Sequence, residues 1–201
     1  MDLQHDTRQE ATAELAEALE LSGRLVAGVE PDQWERATPC TEWNVRQLVD
    51  HLVVGQQLFA RVLGGEPFEQ AVAAVRAVDG SLRNDPAASY DASARELLAA
   101  FDDPGVLERL VRVPFGTVPG ALALHLRIVE CLVHGWDLAT ALGLPFDPPA
   151  ALVEREIAVT GPLLGQVPPE RHVFAPSRPP AESAPPIERL VAMLGREPRS
   201  V

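Results

Sequence analysis

Glu130 and His134 stand four residues apart in a stretch, 126–142, that is otherwise dominated by Leu, Ile, Val and Ala. In a helix this spacing puts both side chains on one face with Cβ atoms about 5–6 Å apart, close enough for two ligands of one metal ion. At roughly 100° per residue, Arg127, Glu130, His134 and Asp137 form one polar stripe. Leu126 and Val133 flank the stripe, and Ile128, Leu132 and Ala139 cover the opposite side. Two readings follow, a solvated helix face, as most charged helical residues are, or a polar site enclosed in a bundle.

A divalent ion held by Glu130 and His134 needs a further protein ligand, and the same helix places none well. His125 points roughly 140° away from Glu130, and His5 and His172 lie near the chain ends, where positions are poorly fixed. His51 is different. Its neighbours within about 60° on the helical wheel are Leu48, Val54, Gly55, Leu58 and Val62, so its imidazole points with core-facing side chains. A lone histidine there is most often a satisfied core residue. With Glu130 and His134, however, it completes the two-histidine, one-carboxylate composition of many open metal sites. Gly55, one turn beyond His51, removes a side chain on the same face and leaves room for a neighbouring helix or a ligand.

The elements that must position these residues are helices. The first spans 7–29, with Thr7 and Glu10 as a capping box and Leu15, Leu19, Ser22, Val26 and Val29 as its inward stripe. The second begins after Asn44, with Gln47 reaching back, Trp43 stapling onto Leu48, and Gly64-Gly65 as its stop. A shorter amphipathic piece carries Phe68, Val72 and Val75 and closes at Asp79-Gly80. The third long helix follows Asp85-Pro86 and buries Tyr90, Ala94, Leu97 and Phe101. A short extended segment covers 110–115, and the turn at 116–120 leads into the fourth long helix as a connector or as a lid over the site. That helix ends at Gly143. A fifth helix reaches about 164 with Leu152, Val159 and Leu163 inward, an extended run follows at 171–174, a Pro-rich crossing at 176–186, and a last small helix at 187–194.

The expected architecture is all-α, an antiparallel four-helix bundle with short extra helices. Residues 1–165 form the bundle domain, and 166–201 a short C-terminal extension packed on it. At 201 residues the chain is long enough for one full core. A formal charge of −12 argues against nucleic-acid binding and against an anionic membrane surface. No apolar run reaches the roughly 18 residues of a membrane span, and the N-terminus lacks the order of a signal peptide, so the expected location is cytoplasmic. Cys40 and Cys131 are too few and too far apart for a disulfide framework. The sequence carries no Gly-x-Ser-x-Gly turn, Walker loop or Rossmann glycine pattern.

Two segments, Thr38-Pro39-Cys40-Thr41-Glu42-Trp43-Asn44-Val45-Arg46-Gln47-Leu48-Val49-Asp50-His51-Leu52 and Glu130-Cys131-Leu132-Val133-His134-Gly135-Trp136-Asp137-Leu138-Ala139, resemble the signatures of the mycothiol-dependent maleylpyruvate isomerase-like proteins of actinobacteria. That family lies within the DinB/YfiT-like superfamily. The likeness extends to Ala184-Pro185-Pro186-Ile187-Glu188-Arg189-Leu190 and Leu194-Gly195-Arg196-Glu197-Pro198. The resemblance implies a DinB-like bundle holding a divalent metal, zinc or else nickel or another transition ion, on His51, Glu130 and His134. It further implies mycothiol or a similar thiol as co-substrate. By that resemblance the isomerase looks like a bundle followed by a larger second domain, where a short tail is expected here.

One carboxylate and two neutral imidazoles leave a divalent ion with a net charge of about +1, favouring an anionic further ligand such as hydroxide or thiolate. A thiol so held stays ionised near neutral pH. Arg127 either binds a substrate carboxylate or pairs with Glu130 or Asp137. Asp137 supports His134 or serves as a helix-end charge. The leading expectation is a metal-dependent thiol transferase or isomerase acting on a small electrophile, with room for a homodimer. The competing expectation is a non-catalytic metal-binding or regulatory module. A closed four-ligand site would favour the module, and an open position under a cleft would favour catalysis.

Overall fold

The computed structural model describes residues 3–77, 85–114, 116–164, 176–179 and 183–197. The expected turn at 79–80, the extended run 171–174 and His172 lie outside them, as do the side chains of His5 and Thr7. Helices α1 (Leu3–Ala27), α2 (Val45–Leu63), α3 (Phe68–Ala77) and α4 (Pro86–Phe101) precede a hairpin, β1 (Leu110–Val113) and β2 (Gly116–Pro119). Helices α5 (Gly120–Leu142), α6 (Ala150–Leu164) and α7 (Pro186–Met193) complete the order. The fold is the expected DinB-like bundle, with α1, α2, α4 and α5 packed in a ring and α6 and α7 against α5.

Periodicity accounts for the bundle seams. On α1, Leu15, Ala18, Leu19, Ser22, Leu25 and Val26 are buried, one helical face at 3–4 residue steps. Ser22 is the polar member of that face, and its hydroxyl shares a 2.5 Å hydrogen bond with the Tyr90 hydroxyl of α4. On the next seam Ser93 Oγ of α4 donates to Gln56 Oε1 of α2 at 2.5 Å. These two hydrogen bonds each join buried polar groups across a helix pair, which fixes the helices' rotation as well as their contact. The inward face of α4 differs by one residue from expectation: Ser93, not Ala94, is fully buried beside Tyr90, Leu97 and Phe101.

The N-terminus of α5 is held by the segment before it. Gly120 N–H donates to Arg109 O at 2.8 Å and Ala121 N–H to Leu107 O at 2.9 Å. A Cβ on Gly120 would lie 1.9 Å from the Val106 carbonyl oxygen, so only glycine allows this approach. Residues 116–119, expected to lead into α5 as a connector or a lid, pair antiparallel with β1, Leu110 opposite Pro119. At the other end Gly143 takes φ 71° and Leu144 N–H returns to Ala139 O at 2.9 Å, a glycine stop.

α5 is buried on nearly every side from Arg127 to Ala139. One flank meets α6, whose inward residues are Leu152, Val153, Glu156 and Thr160, with Val159 and Leu163 only half-buried. The expected face was rotated because a buried acid was not anticipated: Glu156 Oε1 meets His125 Nδ1 of α5 at 2.9 Å. Trp136 Nε1 donates to Glu188 Oε1 of α7 at 3.0 Å, tying α7 to the same helix. No helix among the described residues is long and apolar enough to cross a membrane.

Candidate metal centre

His51 reaches the site because the start of α2 is rigid. Asn44 Oδ1 accepts from Gln47 N–H at 2.9 Å, and Gln47 Oε1 accepts from Asn44 N–H at 3.0 Å, a full capping box. Upstream, Thr38 Oγ1 donates to Trp43 O at 2.7 Å and Trp43 N–H to Cys40 O at 2.9 Å, folding 38–43 into a tight loop. The loop lays the Trp43 indole on the His51 ring at 4.3 Å between centroids and 28° between planes. Trp43 also packs against the core cluster that contains Leu48.

Across the seam, α5 presents the stripe as an enclosed site. His51 Nε2 lies 2.8 Å from Glu130 Oε2, and His134 Nε2 lies 3.5 Å from the same oxygen. His134 Nδ1 meets Asp137 Oδ2 at 3.0 Å. A carboxylate only accepts, so Nδ1 carries a proton that it donates to Asp137, and this contact aims Nε2 at Glu130. Asp137 is fully buried and is held from its other side by Arg196. Arg196 donates through Nη2 to Oδ2 at 2.9 Å and through Nε to Oδ1 at 3.3 Å.

The electrostatics follow from these contacts. Burial raises the Glu130 carboxyl, but hydrogen bonds from His134 and His51 outweigh it and hold Glu130 well below the usual carboxylate range. Burial lowers His134, and its contacts with Asp137 and Glu130 reverse that and raise it. Asp137 likewise keeps the Arg196 guanidinium charged against its burial.

The donor atoms of His51, Glu130 and His134 lie within 4.8 Å of one another. Two ligands on a tetrahedral ion at about 2.05 Å are about 3.3 Å apart, so the observed 2.8 and 3.5 Å separations bracket what an ion requires. The donor set, one anionic oxygen and two imidazole nitrogens with one tautomer fixed, fits a borderline divalent ion such as zinc. No fourth His, Cys, Asp or Glu joins the group among the described residues. His51 and Glu130 keep side-chain exposures of 34% and 20%, opening onto a cleft of about 870 Å³.

The cleft borders differ from expectation in three respects. Arg127 is buried at 2% exposure but pairs with neither Glu130 nor Asp137. Its guanidinium lies over the Phe59 ring at 5.1 Å, and neither Nε nor Nη2 meets an acceptor among the described residues. Arg196 was singled out only as part of a similar tail, although a charged residue directly after the Gly195 helix stop was its available signal. Pro114, at the hairpin turn, reaches the rim, whereas 116–119 form a strand. Cys40 also lines the cleft, its thiol pushed up by burial against an opposing pull from Arg196.

Comparison with known proteins places these features in a lineage. Residues 15–139 match the model of the mycothiol maleylpyruvate isomerase N-terminal domain, a span that holds all three candidate ligands. An uncharacterised protein of Mycobacterium tuberculosis, found in strains CDC 1551 and H37Rv, is 34% identical over 87% of this chain and 91% of its own length. The crystal structure of the mycothiol-dependent maleylpyruvate isomerase superposes with a TM-score of 0.58 at 18% identity. A histidine-to-alanine mutant of that enzyme gives 0.63 at 19%. Both cover 80% of this chain and 72% of theirs, and they establish the shared fold. The two signature segments, the bundle and the family match agree, and the chain belongs to the mycothiol maleylpyruvate isomerase N-terminal domain family.

Proposed function

We propose that this protein is a metal-dependent enzyme that uses a low-molecular-weight thiol, mycothiol or a close analogue, to isomerise or transfer onto a small electrophilic substrate. The observation that carries the reading is the three-donor cluster of His51, Glu130 and His134 opening onto a cleft of about 870 Å³. A structural site would be closed by a fourth protein ligand, whereas a catalytic one keeps a position open.

His51, Glu130 and His134 would hold the ion, with zinc the best match to the donor set. A divalent ion bound there supplies a Lewis-acid position that keeps a thiol ionised near neutral pH. Glu130, held ionised by its two histidines, contributes the negative charge that moderates the site. Asp137 holds the proton of His134 on Nδ1 and so keeps Nε2 available. Trp43 covers the His51 ring, fixing its orientation and keeping water off one face. The cleft has the volume of a small-molecule site and admits both a thiol and an electrophile.

Metal analysis of protein purified without a histidine tag tests the reading. Near-stoichiometric zinc or another divalent ion is expected, lost in His51→Ala, together with consumption of an electrophile in a panel that depends on added thiol. Wild-type protein without metal, or His51→Ala with unchanged metal, would refute it.

A further inference from the structure

Gly55 and Arg127 face each other one helical turn from the metal-ligand cluster, Gly55 four residues after His51 and Arg127 three before Glu130. Because α2 and α5 run antiparallel here, both steps go the same way along the seam, by about 5 Å. A Cβ on Gly55 would lie 2.6 Å from Arg127 Nη1 and 3.2 Å from Nη2, so the guanidinium occupies the space that glycine leaves. Both residues line the cleft. The other two cleft arginines are engaged, Arg196 by Asp137 and Arg178 by Glu197 at 3.7 Å. Among the described residues Arg127 has only the face of Phe59, and Nε and Nη2 are buried without an acceptor.

An unpaired buried cation is costly unless an anion arrives to meet it. Nε with Nη2 is also the guanidinium edge that grips a carboxylate with two parallel hydrogen bonds. We infer that Arg127, in the space opened by Gly55, is a carboxylate-binding subsite that selects substrates carrying a carboxylate about one helical turn from the group held at His51, Glu130 and His134. The inference rests on the proposed metal and thiol reading for its second anchor, and on Arg127 and Gly55 alone for its first. Phe59 and Leu58 at the same end of the cleft supply apolar walls for a short carbon chain between the two anchors.

The experiment compares 3-mercaptopropionate with its neutral methyl ester on the zinc-loaded protein by calorimetry. It also follows propionate binding to the metal-free protein through Trp43 fluorescence. Charge-assisted bidentate bonding makes the free acid about ten- to a hundredfold tighter than the ester. Arg127→Met removes that advantage, so that acid and ester bind alike, and Arg127→Lys restores part of it. Gly55→Ala, which displaces the guanidinium without touching a metal ligand, also weakens the acid selectively. If Arg127→Met fails to fold, Gly55→Ala and Arg127→Lys carry the test. Propionate binding that disappears in Arg127→Met supports the subsite even if no thiol binds and the metal reading falls. Equal binding of acid and ester, or an acid preference that survives in Arg127→Met, overturns the subsite while leaving the thiol reading intact. No response to propionate or to either thiol overturns both.

Discussion

Replacing Asp137 with asparagine would test whether the buried chain Arg196–Asp137–His134 organises the site. The substitution keeps volume and removes one charge. Asp137 is fully buried, and each of its partners is nearly so, His134 at 2% and Arg196 at 7% exposure, so solvent screening does little to reduce the effect. Breaking a buried pair by removing one partner costs about 3–5 kcal/mol. An amide oxygen at the Oδ2 position still accepts from both His134 and Arg196 Nη2, but the NH2 at the Oδ1 position opposes the Arg196 Nε–H and the pair loses its negative charge, which leaves about 2–4 kcal/mol lost. In a domain of this size that lowers the unfolding midpoint by roughly 5–15 °C. The amide also no longer enforces the Nδ1–H tautomer of His134, and loss of such a partner weakens metal binding by about 10- to 100-fold. Thermal unfolding of the metal-free protein reads the first effect, and zinc competition against a chromophoric chelator reads the second. Arg196→Met alone and in combination completes a cycle in which a coupling well above about 0.5 kcal/mol is expected. An Asp137→Asn protein with wild-type unfolding and wild-type zinc affinity would refute the reasoning.

Arg127→Met should raise the unfolding free energy read from denaturant curves by about 1–3 kcal/mol once the lost contact with Phe59 is deducted; a fall would assign Arg127 a structural role. Asn44→Ala removes the cap that starts α2 and should cost about 1 kcal/mol with a measurable loss of zinc affinity, because Trp43 and His51 are positioned from that end. The His125–Glu156 contact between α5 and α6 gives a pH signature. Glu156 raises His125 by hydrogen bonding, and burial raises Glu156 above its usual value of 4.5. Each group therefore binds more protons folded than unfolded, and its contribution falls as pH rises through its folded value. The wild type should lose more stability between about pH 5 and pH 8 than a His125→Gln/Glu156→Gln variant, in chemical denaturation at both pH values. The Glu14–Arg155 ion pair beside them is retained in both proteins. An identical pH slope in both would show that the pair does not titrate as described.

What the sequence revealed was local. The capping box at Asn44 and Gln47, the glycine stop at Gly143 and the inward stripe of α1 depend on residues within a few positions of one another, and periodicity exposes them. The same logic put His51 on an inward face. Contacts across many residues were opaque. Glu156 faces inward because His125, 31 positions away, supplies its partner, so the inward face of α6 could not be read from its apolar residues alone. The hairpin strand at 116–119 exists because the start of α5 is pinned against 106–109, a constraint no local pattern carries. Arg127 shows how such errors propagate. Pairing with Asp137 was expected from their shared helix face, but ten residues of helix set the two about 15 Å apart, and Arg196, 59 residues beyond Asp137, occupies that carboxylate.

That competition connects fold to site. α5 is apolar enough to be buried on almost every side, yet it carries Arg127, Glu130, His134 and Asp137 inward, a local conflict that a purely structural helix would avoid. Three of the four are answered from other elements or from each other: Glu130 by His51 of α2, His134 by Asp137, and Asp137 by Arg196 from the segment after α7. The C-terminal segment, anchored through Trp136 and Glu188, is thus part of the polar network and not only a cover for α5 and α6. Each answered charge has a structural reason to be buried. Arg127 has none among the described residues, and a buried cation that the fold leaves unanswered beside a cleft is most simply explained by a ligand that answers it.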